Sequence, residues 1–188
     1  HQLCSTHLQA ELANLTRTFE ELSSDRLRQM GGELAKAPRV WVLGFGAEDG
    51  VARYARLMLA RIRPGVHLIA GQAGSWAEDM AMMGPKDSLL VTAFRPVSRL
   101  LSPILEWART SRVSLTAITD PTTSDRLRRL GANTLICHVA GQRLGPSQTA
   151  AISLVRLLAN ATAQSLGSRA SRRLELIGDI HGELEDQD

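Results

Sequence analysis

The sequence predicts an α/β fold, a five-stranded parallel β-sheet flanked by helices, with helical extensions at both ends. Short apolar runs alternate with amphipathic segments of helical length along the middle of the chain. The runs are apolar on both faces of a strand, which is typical of parallel strands covered by helices on both sides. Aromatic residues make up only 4% of the chain, which favours helices packed on a sheet over a β-sandwich.

Five apolar segments have the length of a strand, and four amphipathic segments lie between them. This alternation predicts right-handed crossovers and a flavodoxin-like strand order. The predicted strands are Val40–Leu43, His67–Ala70, Leu89–Thr92, Leu115–Thr119 and Thr134–Val139. The predicted helices between them are Val51–Arg63, Trp76–Met83, Ile104–Ser111 and Ser124–Leu130.

Helical spacing of apolar residues continues at both ends of the chain. Two helices are expected between residues 8 and 37, although Gly31 and Gly32 weaken the second. A long helix is expected after the turn Gly145-Pro146-Ser147, and a helical tail covers residues 172–188.

We divide the chain into an N-terminal helical lead-in, residues 1–37, and a main domain, residues 38–188, that ends in long helices. The helices over residues 8–19 and 152–166 are longer and more apolar than packing on a sheet requires. They are therefore predicted to be the surfaces of a homo-oligomer.

Composition limits the possible functions. The net charge is +3 without a compact run of Lys and Arg, which does not indicate a nucleic-acid-binding surface. Cys4 and Cys137 match no metal-ligand spacing, and Cys137 lies in an apolar run as expected of a buried thiol. We predict no metal, no cofactor, no membrane segment and a cytoplasmic location.

Candidate ligand contacts follow three of the predicted strands, where the N–H groups of the next helices point outward. The turn Gly44–Gly50 permits close backbone approach, but Asp49 stands where a dinucleotide fingerprint needs glycine. The alternative to a ligand site is a plain turn in which Glu48 and Asp49 simply cap the start of the next helix. The segment Thr92–Arg99 brings arginines and hydroxyls together, which suits a phosphate or a carboxylate, unless the arginines are simply solvated.

Helix starts account for part of these segments. Pro103 is expected at the first position of its helix after a Ser102 cap, which leaves residues 97–101 as a loop facing the pocket. In Thr119–Ser124, Ser124 is the expected N-cap, so capping alone explains most of that segment. The predicted ligand-binding residues are Gly46, Ala47, Glu48, Ala93, Arg95, Ser98, Thr119 and Ser124.

Taken in order, these segments resemble the sugar isomerase (SIS) domain, in particular the effector domain of RpiR-type transcriptional regulators. Residues 39–46 resemble the first strand and glycine turn of the family. Thr92–Arg99 resembles a variant ligand loop, and Ala117–Asp120 with Ser124 resembles the fourth strand and the serine loop after it.

The resemblance implies a three-layer αβα sandwich that binds a phosphosugar or a related anionic carbohydrate derivative and forms dimers or tetramers. It also implies that DNA is bound only through an N-terminal helix-turn-helix domain, which this sequence does not contain. Because the chain begins at His1 rather than methionine, we expect it to be the effector half of a longer regulator.

The chain departs from the family pattern at the ligand site. The family usually has serine where Glu48 stands, and a Ser-x-Ser-Gly-x-Thr loop where this chain has Ala93, Arg95, Pro96 and Ser98. Only Ser98 keeps a hydroxyl. Three interpretations stay open: Arg95 replaces the cradle, the ligand is not an ordinary sugar phosphate, or the pocket has lost its ligand.

We expect a sensor rather than an enzyme, and we assign no catalytic residue. Isomerases of this superfamily need a Glu or His base. Glu48 lies at the right junction but lacks a hydroxyl cradle, His138 is expected as a core histidine in strand five, and His181 is expected to be solvated. The alternatives are an aldose–ketose sugar-phosphate isomerase and a scaffold without a ligand.

Overall fold

The computed structural model describes residues 2–71, 75–141 and 144–185 of the chain. Two helices, α1 (Gln2–Glu20) and α2 (Ser24–Lys36), precede the first strand, β1 (Val40–Gly44). Four helix–strand units follow: α3 (Ala47–Ala60) and β2 (Val66–Leu68), α4 (Trp76–Ala81) and β3 (Ser88–Ala93), α5 (Leu101–Thr110) and β4 (Ser114–Thr119), and α6 (Pro121–Arg129) and β5 (Asn133–Ile136). Two further helices, α7 (Thr149–Leu166) and α8 (Ser168–Glu185), end the described part of the chain.

The five strands form one parallel sheet in the order β2-β1-β3-β4-β5, which confirms the predicted flavodoxin-like arrangement. The register aligns Gly44 of β1 with Thr92 of β3, and Ala93 of β3 with Thr119 of β4. The carboxyl ends of these three strands therefore meet at one edge of the sheet.

The sheet is covered on both faces, as its apolar strands predicted. In β1, Val40 and Val42 pack into a core with α2, α3 and α7, whereas Trp41 and Leu43 pack into a second core with α5 and α6. This alternation places one helical layer on each side of the sheet and gives the expected three-layer sandwich. None of the described helices combines the length and apolar character needed to cross a membrane.

Two helix starts differ from the predictions because other residues cap them. Asp120, not Ser124, is the N-cap of α6, and its Oδ1 accepts hydrogen bonds from the N–H groups of Thr122 (2.8 Å) and Thr123 (3.0 Å). The prediction of Ser124 as the cap was wrong, and α6 begins at Pro121, a residue suited to the first helical position.

The α5 boundary also moves. This helix begins at Leu101 after Leu100, so the predicted Ser102 cap was wrong and Pro103 lies at the third helical position. Of the loop predicted at residues 97–101, residues 97–100 are not helical, as predicted, whereas Leu101 is the first residue of the helix.

Strand β5 ends at Ile136, earlier than predicted, because α1 takes over the hydrogen bonds of the chain that follows. The His138 N–H donates to Thr18 Oγ1 (2.8 Å), and the Asn14 side chain bonds both the N–H and the carbonyl of Ala140. His138 therefore lies beyond the strand in which it was predicted. Helix α1 is thus hydrogen-bonded to the segment that follows β5, at the edge of the sheet where the strands end.

Candidate functional site

A cavity of about 600 Å³ lies at the carboxyl edge of the sheet. Three segments form its walls: the start of α3, the end of β3 with the loop after it, and the segment before α7. The described residues that line it are residues 45–48, 92–94, 96–99, 101 and 144–146.

The first wall is the N-terminus of α3, which approaches β1 closely. A Cβ atom at Gly44 would lie 2.2 Å from the Glu48 carbonyl oxygen, so a side chain there would push the helix away. Gly46 is the N-cap with φ 60°, a left-handed conformation that glycine adopts without strain. Among the described residues no side chain caps this end, and the first N–H groups of a helix attract anions.

The Glu48 carboxyl is the acidic group on the cavity wall. The side chain is half-buried, and burial raises its pKa, although the Glu48 backbone N–H and the Gln148 side chain both act to lower it. The carboxyl is therefore less ready to ionise than a solvated glutamate. The repulsion between Glu48 and an anionic ligand is weaker to the extent that the carboxyl stays protonated.

The second wall is the end of β3 and its loop. Thr92 is buried, and its Oγ1 has no hydrogen-bond partner among the described residues. Ala93 adds backbone and a methyl group, and the Ser98 Oγ accepts a hydrogen bond from the Leu100 N–H (3.3 Å). Arg99 brings an exposed guanidinium to the same wall. The wall thus includes two residues with hydroxyls, of which the Thr92 hydroxyl is itself buried, and one cation.

Arg95 lies in an adjacent cavity of about 490 Å³ rather than with Glu48 and Ser98. Its backbone N–H donates to Asp120 Oδ2 (3.0 Å), which ties the loop after β3 to the start of α6. The two cavities share Pro96 and the Gly145-Pro146 segment as a common wall. Arg95, which was predicted to bind the anion, therefore lies in the cavity next to the one that the α3 N-terminus lines.

Two predicted residues line neither cavity. Thr119 is fully buried at the end of β4, and its Oγ1 has no partner among the described residues. Ser124 is buried in the first turn of α6 and donates its hydroxyl hydrogen to the Pro121 carbonyl (2.9 Å). The structure brings Gly46, Ala47, Glu48, Ala93 and Ser98 together, and it leaves Arg95, Thr119 and Ser124 apart from them.

His138 forms part of the adjacent cavity and is paired with Glu21, the residue that follows α1. Its Nε2 lies 2.8 Å from Glu21 Oε2, and this hydrogen bond lowers the pKa of the Glu21 carboxyl. The neighbouring Cys137 is buried as predicted, and burial raises its pKa to about 12. Neither side chain faces the cavity that contains Glu48.

Sequence reasoning missed several residues of the site. Thr92 and Arg99 were inside the segment singled out, but neither was selected. Gly145 and Pro146 were predicted only as a turn, and Gln148, the N-cap of α7, was not considered. The rule that selects residues after β1, β3 and β4 applies equally after β5, so it would have found Gly145 and Pro146.

In the described parts of the chain, no group of three or more His, Cys, Asp or Glu side chains is arranged to hold a metal ion.

Comparisons with known proteins agree with this architecture. The profile of a family described as the SIS domain matches residues 33–161, more than half of the chain. No curated protein sequence matches this chain.

Solved structures with the same fold include an RpiR transcription factor from Sphaerobacter thermophilus (sugar isomerase domain), with a TM-score of 0.86 and 20% identity over 95% of this chain and 99% of that one. The Vibrio vulnificus NanR protein complexed with ManNAc-6P has a TM-score of 0.80 and 16% identity over 95% of this chain and 69% of that one. An E. coli CFT073 protein in complex with a phosphosugar has a TM-score of 0.77 and 14% identity over 94% of this chain and 96% of that one.

Proposed function

The chain belongs to the SIS domain family, and we propose that it is the ligand-sensing effector domain of a sugar-responsive transcriptional regulator. Its ligand in this proposal is a phosphosugar or a related anionic carbohydrate derivative. The domain also oligomerises, and a separate helix-turn-helix domain contacts DNA. The observation that carries the proposal is the cavity at the carboxyl edge of the sheet, which Thr92 lines and next to which the Thr92 hydroxyl is buried with no partner among the described residues.

The size and chemistry of the cavity suit a small polar ligand. Its volume of about 600 Å³ lies within the ~300–1,000 Å³ typical of small-molecule sites. The α3 N-terminus and Arg99 favour an anion, while Thr92 and Ser98 offer hydroxyls to ligand oxygens. A buried hydroxyl without a partner is costly, and a ligand oxygen would satisfy it.

The related structures support this ligand class. NanR was solved with ManNAc-6P and the E. coli CFT073 protein with another phosphosugar, so the fold accommodates such ligands in those proteins. The RpiR domain matches this chain along nearly its whole length, which supports the effector domain of a regulator as the functional parallel.

The test removes the Thr92 hydroxyl without changing the shape of the side chain. ManNAc-6P, a pentose phosphate and acidic sugars are titrated by calorimetry and by thermal shift, where a ligand at 100 times its Kd adds about 2.7 kcal/mol of stability. For any ligand that binds, Thr92→Val weakens affinity about tenfold, the value of one hydrogen bond. The same variant does not destabilise the free protein, because it removes an unsatisfied polar group.

Thr116→Val is the matched control. Thr116 is also buried, and its hydroxyl has no partner in the described parts of the chain. It does not line the cavity, so loss of this hydroxyl leaves affinity unchanged. Equal affinity of the Thr92 and Thr116 variants would remove Thr92 from the site. Absence of binding across the whole panel would favour a scaffold without a ligand.

One observation favours an aldose–ketose isomerase as the second candidate. Burial raises the pKa of Glu48, which is the direction in which the pKa of a glutamate base must move to exchange protons near neutral pH. Turnover of a sugar phosphate that is lost in Glu48→Gln while binding persists would establish the isomerase. Binding without turnover in the wild-type protein supports the sensor.

A further inference from the structure

Helix α8 is exposed along most of its length. Ala170 is its only buried residue among Ser168–Glu185. Leu174, Ile180 and Leu184 are 42%, 46% and 61% exposed, so the helix carries apolar side chains that the described chain does not cover. Because isolated helices of this length are marginally stable in water, α8 needs a further partner to be well formed.

The charges on α8 are separated into two halves. Arg169, Arg172 and Arg173 lie in its first two turns, and no acidic residue lies in the first turn. The acidic half of α8, residues 174–185, carries four carboxylates and no Lys or Arg. This order opposes the dipole of the helix itself, which favours acidic groups at the N-terminus and basic groups at the C-terminus.

The basic residues of α8 form one wall of a cleft at the opposite edge of the sheet from the ligand cavity. The cleft has a volume of about 420 Å³ and lies between α8, the end of α2 and the segment after α3. No acidic residue is among the described residues that line it. We call it the basic cleft; its cationic residues are Lys36, Arg63, Arg169, Arg172 and Arg173, and its apolar ones include Ile62, Leu166 and Leu176.

The cations of the basic cleft differ in their roles. Arg63 is buried and donates to the carbonyls of Leu34, Ala37 and Pro38, so it holds the end of α2 in place. Burial lowers the pKa of Arg63, and the nearby Arg169 lowers it further. Within the described ranges, no carboxylate forms an ion pair with any cation of the cleft. The exposed ones are thus available to an acidic partner.

We infer that two copies of this chain associate through their α8 helices, which pair antiparallel so that the acidic half of each lies in the basic cleft of the other. An antiparallel pair sets each basic N-terminal half against an acidic half and covers the apolar side chains between them. It also sets each helix dipole against the opposite dipole, which offsets the unfavourable charge order within each helix. A two-fold axis makes both contacts identical and closes the assembly as a dimer.

This inference rests on the oligomerisation named in the proposed function, but not on its ligand. The test uses two charge reversals on exposed side chains. Arg169→Glu/Arg172→Glu gives the first half of α8 a net negative charge like the second, and Glu183→Arg/Glu185→Arg makes the last turn of α8 basic like the first two turns. Sedimentation velocity measures the dimer Kd of each variant, and circular dichroism measures its folding.

Each double variant alone dissociates at least about 100-fold more readily than the wild-type dimer, because like charges face each other across the interface. Mixing the two double variants restores a dimer, since one chain then presents acidic groups at both ends of α8 and the other presents basic groups at both ends. Combining all four substitutions in one chain also restores self-association. Rescue of this kind cannot come from a variant that merely misfolds.

Other outcomes overturn the inference at different levels. If the wild type is dimeric and the double variants remain dimeric, oligomerisation stands and the α8 interface is excluded. If the mixed variants or the fourfold variant stay monomeric, the antiparallel pairing is excluded. A monomeric wild type throughout the micromolar range would overturn both the interface and the oligomerisation, while leaving the ligand proposal to its own titrations.

Discussion

At the scale of single residues, the position of Glu48 has two opposite effects on the ionisation of its carboxyl. It lies at the N-terminus of α3, where negative charge is favoured, yet it is half-buried in the cavity wall. Burial dominates, because the pKa of Glu48 is raised. The folded state therefore keeps the Glu48 proton to a higher pH than the unfolded chain does, and stability falls as pH rises through that interval.

Glu48→Gln is consequently expected to raise the thermal midpoint at neutral pH, because the amide cannot ionise. The gain disappears in acid below the ordinary glutamate pKa, where the wild-type carboxyl is protonated in both states. A series of thermal denaturation curves across pH measures both parts of this prediction.

Asp49→Asn is the control at the next position. The Asp49 carboxylate lies 2.7 Å from Arg53 Nε on the same helix, so its loss removes a favourable pair and does not raise the midpoint. A lower midpoint for Glu48→Gln at neutral pH would show that the ionised carboxylate stabilises the fold.

Residues of the site were predictable where the chain itself fixes their position. Gly46, Ala47 and Glu48 directly follow β1, so the rule for parallel sheets located them. Arg95 was not predictable in this way, since its backbone N–H is held by Asp120, a residue 25 positions later. Local signals decide which residues reach the edge of the sheet, whereas long-range hydrogen bonds decide which cavity they enter.

At the scale of elements, the sequence indicated the type and order of the helices and strands but not all their ends. Apolar periodicity is a local signal, and it identified the five strands and the sheet order. The end of β5 depends instead on Thr18 and Asn14 of α1, more than 100 residues away in the sequence. No pattern within the strand could indicate that side chains of α1 would take the hydrogen bonds of the residues after Ile136.

The glycine pair in α2 shows what propensity alone misses. Gly31 and Gly32 weakened the helix prediction, yet the helix forms because Gly31 lies against α7. A Cβ atom at Gly31 would lie 2.8 Å from the backbone carbon of Ala161, so glycine permits the two helices to approach closely. At Gly32 the nearest atom is Ser165 Oγ at 3.8 Å, which leaves room for a methyl group.

Alanine substitutions therefore have opposite effects at these adjacent positions. Gly31→Ala destabilises the protein by about 1–3 kcal/mol, because the added methyl forces α2 away from α7. Gly32→Ala stabilises it by up to about 1 kcal/mol through helix propensity. Urea denaturation of both variants measures the difference, and equal free energies of unfolding would contradict the close contact.

At the scale of the whole molecule, α7 joins the ligand cavity to the basic cleft. Its N-cap Gln148 lies close enough to Glu48 to lower the pKa of that carboxyl, and Leu166 at its other end lines the cleft. The helix has 18 residues and spans about 27 Å. Its buried face packs against α2 and α3, so continuous packed side chains, not a loop, lie between the two sites.

If the proposed ligand and the α8 dimer both exist, α7 couples them, and the coupling is reciprocal. A ligand that moves the Glu48–Gln148 contact shifts the dimer Kd by about 5–150-fold, the usual range for linked sites. The same factor must separate ligand affinity in the dimer from that in the monomeric Arg169→Glu/Arg172→Glu variant, because binding free energies form a closed cycle. Sedimentation with and without ligand gives one side of this cycle and calorimetry of the two proteins gives the other. Equal dimer Kd values with and without ligand would show that α7 does not couple the ligand site to the α8 interface. Ligand binding would then have to act through another part of the molecule.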